Sequence, residues 1–499
     1  MRIAAIDVGS NSIHMVVVET DPMGNQRVLA REKMMVRLSK GLAQTGSIAP
    51  DTYQAGLEAL ALMASVIQGF KCDTTMACGT AALREADNAG AFVAGAAALG
   101  ISIRIISGEE EARLIHLAVS RAVPFPDEPT ALVDIGGGST EITWTMGERV
   151  LASVSLPWGI QRLADAVPTS NPPSAEDLKR LRKFIRKALK KASRNIPEDL
   201  PASRILLATS GTWQDLAKGC GSPTELTLPQ LIRFKRRLWQ MNTQARVEVL
   251  NVEEKRAEVL HVGASWALGL MRWLGAEEAQ CLPVGLREGM VWEALKHGGM
   301  DLPALSLRRR ASVEALADKF DPDPSHSRHV VKLADQLFHG LRPYFELGDP
   351  EQELLGFAAR LHDIGLSIAE KSHQKLGAYL VQNAKLPGFW PAESDIISQV
   401  VRFHRGKPPR RTKDELYARL APWHQQVVEK LAAILRVADA LDRRRIKAVR
   451  SVSVEEEEGG FRMTIKGKGD LSPELESLRI KGKLLYELLE LPVRLVVER

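Results

Sequence analysis

Two short stretches of the sequence set carboxylates beside glycines. Asp7-Val8-Gly9-Ser10-Asn11-Ser12-Ile13 and Asp134-Ile135-Gly136-Gly137-Gly138-Ser139-Thr140 both continue an apolar run, with Gly two residues and Ser five residues after the Asp at the head of the first stretch, and the same offsets from Asp134 in the second. Glycine lets backbone N–H groups approach a ligand closely, and successive N–H groups in such a turn make an anion-binding nest. Serine and threonine hydroxyls add donors. The loops Gly9, Ser10, Asn11, Ser12 and Gly137, Gly138, Ser139, Thr140 therefore suit phosphate oxygens. Asp7, Asp134 and Glu141 would repel a bare phosphate, but they make sense around a hard cation such as Mg²⁺. A single loop of this kind reads as a plain hairpin turn. Two with matching acids read as a duplicated site facing a central cleft.

Other segments supply candidates for the same chemistry. In "ISGEEEARL", Ser107 and Glu110 have the spacing of a capping box, which gives Glu110 a structural role. Glu109 reads as a solvated first-turn acid. Glu111 has no such local task and is placed to take a proton from an attacking water, a contribution of about 10²–10⁴-fold in rate; the competing reading is one more acid favouring a helix N-terminus. Arg84 in "GTAALREADN" follows a strand, where a guanidinium grips phosphate or pairs with Glu85 or Asp87. Ser210, Gly211 and Thr212 in "ATSGTWQDLAKG" make a third small-residue loop.

The elements that must position these residues alternate in the first half of the chain. "RIAAID", "IHMVVVE", "TTMACGT", "ISIRIIS", "TALVDIG" and "RILLATSG" read as strands, and "DTYQAGLEALALMASVIQ" and "GEEEARLIHLAVSRA" as helices. That mixture predicts an α/β fold. Prolines 124, 126 and 129 mark a boundary between two lobes, 1–124 and 125–300. Helical patterns dominate 301–450, and strand-like alternation returns over 451–499 around Gly459-Gly460, predicting a small α/β domain. The chain of 499 residues exceeds one compact domain. No apolar stretch approaches 18 residues, so no membrane span is expected. Cys72, Cys78, Cys220 and Cys281 lack CxxC spacing and read as free thiols of a reducing cytoplasm. The net charge of +6 favours anionic partners, without pointing to a specific nucleic acid. Its densest segment, Lys179–Arg194, carries nine basic residues over a helical apolar stripe: a solvated face, or alternatively a rail for a polyanion.

Seven ordered segments, "AAIDVGSNSIHMVVVE", "GTAALREADN", "ISGEEEARLI", "LVDIGGGSTEI", "SLPWGIQRL", "ATSGT" and "PVGLREGM", resemble the exopolyphosphatase/guanosine pentaphosphate phosphatase family over residues 1–295. The resemblance implies an actin-like, two-lobed fold and Mg²⁺-dependent hydrolysis of terminal phosphoanhydrides, of inorganic polyphosphate or of guanosine pentaphosphate, by a homodimer. It makes Glu111 the base with Glu110 as the fallback, gives Asp134 and Glu141 to the metal and catalytic centre, and makes the two glycine loops with Arg84 the phosphate grip. One departure is Glu258, where the pattern has Asp. The part after residue 300 resembles an HD domain: His326, His362 with Asp363, and Asp439 follow the H…HD…D order of metal phosphohydrolases, with His373 and His404 able to extend the set to two metals. That implies a possible second metal there. The competing readings are a nonenzymatic polyphosphate or guanosine tetra/pentaphosphate sensor and a kinase of the same superfold.

Overall fold

The computed structural model describes residues 1–21, 26–197, 200–222, 224–298, 305–384, 386–409 and 415–498. They divide into two compact units, Met1–Pro303 and Ala304–Arg499. The boundary expected near residue 300 falls on 299–304, outside the described residues.

The first unit is built twice from one plan. β1 (Arg2–Val8), β2 (Ile13–Thr20), β3 (Gln26–Met34), β4 (Thr74–Gly79) and β5 (Ile103–Ile105) form a sheet of order β3-β2-β1-β4-β5. β6 (Pro129–Ile135), β7 (Thr140–Met146), β8 (Arg149–Leu156), β9 (Ile205–Thr209), β10 (Glu225–Thr227) and β11 (Glu278–Cys281) form a second, β8-β7-β6-β9-β11-β10. In each, the first three strands are antiparallel neighbours and the next joins the first in parallel. β1 and β6 share the same alternation of buried and half-buried positions, with the Asp half-buried at the sixth residue. Both strands are continuous apolar runs because helices cover both faces of the sheet. Each lobe has its own apolar core, one around Ile6, Val8 and Met15, the other around Val133, Ile142 and Trp266. This is the expected actin-like duplication.

Two helices tie the lobes together. Helix Gly108–Ala122 packs on β7 and β8 of the second sheet. Helix Leu286–His297 packs on β1 and β4 of the first, and on helix Gly108–Ala122 so closely that a Cβ on Gly289 would lie 2.0 Å from the Leu114 carbonyl oxygen. The span 125–300 therefore ends against the first lobe rather than within the second. An amphipathic pattern shows that a helix has a covered face, but not which sheet covers it. The basic helix Ala175–Ala192 buries Leu181, Ile185 and Leu189, and its lysines and arginines are solvated.

The second unit is mainly helical. Helices Leu305–Phe320, Pro324–Phe345, Asp349–Leu361, His373–Asn383, Pro391–Phe403 and Pro422–Ala440 precede β12 (Val449–Glu457) and β13 (Gly460–Gly467), helices Ser472–Lys481 and Lys483–Leu489, and β14 (Val493–Glu498). The inward face of this sheet, with Val452, Val454, Met463 and Ile465, joins Leu337, Leu431 and Leu435 of the helices in one apolar cluster. The terminal α/β segment is thus a layer of the same unit. No helix among the described residues is long and apolar enough to cross a membrane, and all four cysteines are free thiols.

Candidate active site

The turns β1–β2 and β6–β7 close in the same way. Gly9 donates its N–H to the Ser12 carbonyl at 3.1 Å, and Gly136 to the Ser139 carbonyl at 3.0 Å. The two tips meet. A Cβ on Gly137 would lie 3.0 Å from Asn11 Cβ, and one on Gly138 2.4 Å from Ser10 Oγ and 2.9 Å from Ala81 Cβ. Only glycine permits that approach. Gly136 O accepts from Ile160 N–H at 3.0 Å and Gly137 O from Gln161 N–H at 3.0 Å, at the start of helix Ile160–Ala166. Ser10 O and Asn11 O accept from Ser39 and Arg37. Because trans peptides point C=O and N–H oppositely, the N–H groups of Asn11, Ser12, Gly137 and Gly138 turn away from those partners.

Both hairpins line one cavity of about 650 Å³, together with Asp7, Glu111, Asp134, Ser210, Gly211 and Thr212. Asp7 sits at the end of β1 and Asp134 at the end of β6, facing Glu141 across the ladder and accepting a 2.5 Å hydrogen bond from Thr209 Oγ1. Burial pushes Asp7 up to about 7, reinforced by Glu111, and Asp134 up to about 6. Burial also pushes Glu111 up to about 7, against the pull of Arg84, and holds Glu141 well above the usual carboxylate range beside Glu111 and Asp134. Two buried and two half-buried carboxylates close enough to raise one another are not stable as four charges without a counter-charge. Asp7 Oδ1 and Glu141 Oε2 are buried with no hydrogen-bond partner. Ser210, just after β9, has φ +90°, a strained conformation for serine, and its hydroxyl is also buried without a partner.

Several expected contacts are placed differently. Glu110 caps nothing with its carboxylate and does not reach the cavity. Ser107 Oγ does accept from Glu110 N–H at 3.1 Å, but the Glu110 side chain goes to Arg113 at 2.7 and 2.9 Å, whose two-pronged guanidinium outcompetes a single backbone N–H. Arg84 stands behind the cavity wall, donating to Glu111 Oε2 at 2.8 Å and to the Ile106 carbonyl at 3.0 Å. Thr140 is fully buried. Its hydroxyl donates to Trp158 O at 2.6 Å and accepts from Trp266 Nε1 at 2.9 Å, so it braces the second hairpin instead of meeting a ligand. Glu141 also lies behind the wall, accepting from Ser155 Oγ at 2.8 Å. Thr212 lines the cavity while donating weakly to Ile135 O at 3.3 Å. Glu258 is outside the cavity and joins the lobes, accepting from Arg37 at 2.5 Å.

The cavity wall also carries His14, Arg31, Lys33, Arg256 and Arg287, none of which was assigned a role from the sequence, although His14 and Arg287 lie within quoted segments. Burial drives His14 down to about 3, and the cations Arg287, Lys33 and Arg256 push the same way. That histidine reports a positive field beside the acids. Arg287 belongs to "PVGLREGM", so the signal was present in the sequence, but its direction depended on the return of helix Leu286–His297 to the first lobe.

A model of the Ppx/GppA phosphatase family matches residues 16–297, and one of Ppx/GppA phosphatase domain III matches residues 308–474. The chain belongs to the Ppx/GppA phosphatase family. Among solved structures, a Ppx/GppA family member from Aquifex aeolicus is 27% identical, with a TM-score of 0.51, over 60% of this chain and 98% of its own. An exopolyphosphatase from Cytophaga hutchinsonii has the same coverage at 24% identity and a TM-score of 0.55, and shares the fold. The protein is therefore an enzyme, a phosphatase of a family that is in general dependent on divalent metals, and the sensor and kinase readings fall away.

In the second unit, His326, His362 and Asp363 gather in one buried group and Asp363, His373 and His404 in another. Asp439 lies beside them, its Oδ1 3.7 Å from His326 Nε2.

Proposed function

We propose that the cleft removes terminal phosphates from inorganic polyphosphate in a Mg²⁺-dependent reaction. The observation that carries this is the meeting of the two glycine hairpins over one acid-floored, cation-rimmed cavity. The acids fit a divalent cation, since Asp7 Oδ1 is buried without a partner and burial raises all four carboxylates in its absence. Asp7 and Asp134 would hold it, with Glu141 adding negative charge from behind. Among the described residues, the cleft does not bring three such side chains within 4.8 Å of one another; one or two carboxylates with substrate oxygens completing the shell is the usual arrangement for Mg²⁺. When bound, the ion neutralises charge on the phosphate oxygens.

The chain's own residues supply the rest. The outward N–H groups of Asn11, Ser12, Gly137 and Gly138 receive the terminal phosphate. They are already oriented, so they stabilise charge without reorganising. Arg84 fixes Glu111 through Oε2 and leaves Oε1 to accept a proton from the attacking water. Arg31, Lys33, Arg256 and Arg287 hold the rest of the polyanion. No Phe, Tyr or Trp stands among the residues that line the cavity. A guanine base would have only the half-buried His14 imidazole and the arginine planes to stack on, while the cations suit a plain polyanion, and this supports inorganic polyphosphate over guanosine pentaphosphate, the second reading. Phosphate release from both substrates, measured side by side, tests this. A kcat/KM higher for guanosine pentaphosphate than for long-chain polyphosphate would reverse the order of the two readings.

A further inference from the structure

We propose that the second lobe carries an anion site apart from the cleft, where helices Ala175–Ala192, Leu228–Gln240 and Glu254–Leu274 hold a downstream stretch of the polyphosphate chain whose end lies in the cleft, a reading that rests on polyphosphate being the substrate there. Helix Glu254–Leu274 packs against both of the others. Each of the three brings a cation to one place. Arg182 comes from the first, Lys235 and Arg236 from the second, and Arg272 from the third.

Lys235 is the centre of this group. It is 5% exposed, although lysine is almost never buried unless paired. The helix turns Leu231, Phe234 and Leu238 inward, and Lys235 lies on that same covered face. Its Nζ stands 5.9 Å from the centre of the Trp239 ring, one turn further along. Among the described residues, no carboxylate pairs with Lys235. The acids at the start of the basic helix are spent elsewhere, Glu176 on Lys179 and Asp177 on Arg180. Burial lowers the Lys235 ammonium to about 8, and Arg182, Arg272 and Arg236 push the same way with no acid to oppose them. Buried charges are ordinarily paired. Here four cations gather, and the missing counter-charge comes from outside the chain.

The simpler reading is a solvated helix face, and it fits Lys179–Arg194 taken alone. It leaves unexplained a buried lysine and the arginines that two other helices bring to it. Single-stranded nucleic acid binds on exposed aromatic platforms, but the aromatic side chains of these helices turn inward. Phe184 and Trp273 are half-buried, and Phe234, Trp239 and Trp266 are buried. Guanidinium forks suit bare phosphate oxygens. The site is also distinct from the cleft. Arg256 lines the cavity, and Arg272 lies on the same helix a rise of about 24 Å further on. Tripolyphosphate is too short to reach both places. A long chain reaches both, and holding two sites at once raises affinity without any new contact in the cleft.

The test uses the full chain, with Lys235→Met in one variant and Arg182→Gln plus Arg272→Gln, both at exposed positions, in another. Phosphate release is measured from long-chain polyphosphate and from tripolyphosphate. In both variants KM for the long chain should rise about tenfold or more, while kinetics on tripolyphosphate stay within about twofold of the parent. An unchanged long-chain KM, or an equal loss on both substrates, would overturn the proposal. A measurement on the parent alone guards against misfolded variants. With Mg²⁺ withheld, so that the chain is not consumed, long-chain polyphosphate should shift the Lys235 side-chain resonance and raise its pKa above about 8. A resonance that stays in place would reject the site, and an equal shift with single-stranded DNA would reassign the face to nucleic acid. Were the parent to release no phosphate from either chain, the reading of the cleft would fail, and the Lys235 resonance would still decide for or against the anion site.

Discussion

Arg84 and Glu111 form a 2.8 Å pair at the edge of the cleft, and their roles separate in kinetics. Glu111→Gln should lower kcat by about 10²–10⁴-fold with KM little changed, because the base acts only in the transition state. Glu110→Gln, whose carboxylate is spent on Arg113, should stay within about twofold. With Mg²⁺ saturating, the rate should rise with pH and level off once Glu111 is ionised, at a pH below its metal-free value of about 7 because a bound cation favours the charged carboxylate. Arg84 pulls that value down, so Arg84→Met should move the rising limb to higher pH. A limb that stays in place would show that another group titrates. The sequence distinguished Glu110 from Glu111 through the Ser107 cap alone. What sends Glu110 outward is Arg113, one turn further along the same helix.

The paired hairpins depend on close backbone approach. A Cβ on Gly159 would lie 2.4 Å from the Gly137 carbonyl carbon and 2.5 Å from its oxygen, where backbone atoms cannot give way. Gly159→Ala should cost about 1–3 kcal/mol, lower Tm by several degrees and raise KM for polyphosphate, since it pushes the second hairpin out of place. An unaltered melting curve with normal KM would show that the hairpin is not held by helix Ile160–Ala166. This glycine sits in "SLPWGIQRL" at φ −109°, an ordinary conformation, so nothing local marks it. Thr140 is the converse case. Its sequence position matches a loop donor, but the buried tryptophan Trp266, 126 residues away, claims its hydroxyl.

At the scale of the molecule, the raised carboxylates link stability to pH. Asp7 and Asp134 are pushed from the usual 3.8 to about 7 and about 6. The folded state therefore binds more protons than the unfolded one between those limits, and their contribution is complete below about pH 4 and lost as pH rises through 6–7. In a chelator, Tm should fall from pH 5 to pH 8, Mg²⁺ should restore it at pH 8, and Asp7→Asn should flatten the trend while abolishing turnover. Met1–Pro303 forms a compact unit with its own two apolar cores. Met1–Pro303 made alone should therefore melt cooperatively and keep hydrolysis of short polyphosphates. The sequence by itself determined the duplicated strand–Asp–Gly turns, the α/β class of the first half and the histidine order of the second, because periodicity and glycine placement are local. Only the tertiary structure decided which acids face the cleft, that the two hairpins touch, that Arg287 returns to the first lobe, and that four imidazoles converge on Asp363. Each of these depends on which surfaces bury one another, and that is settled by packing between segments scores to hundreds of residues apart.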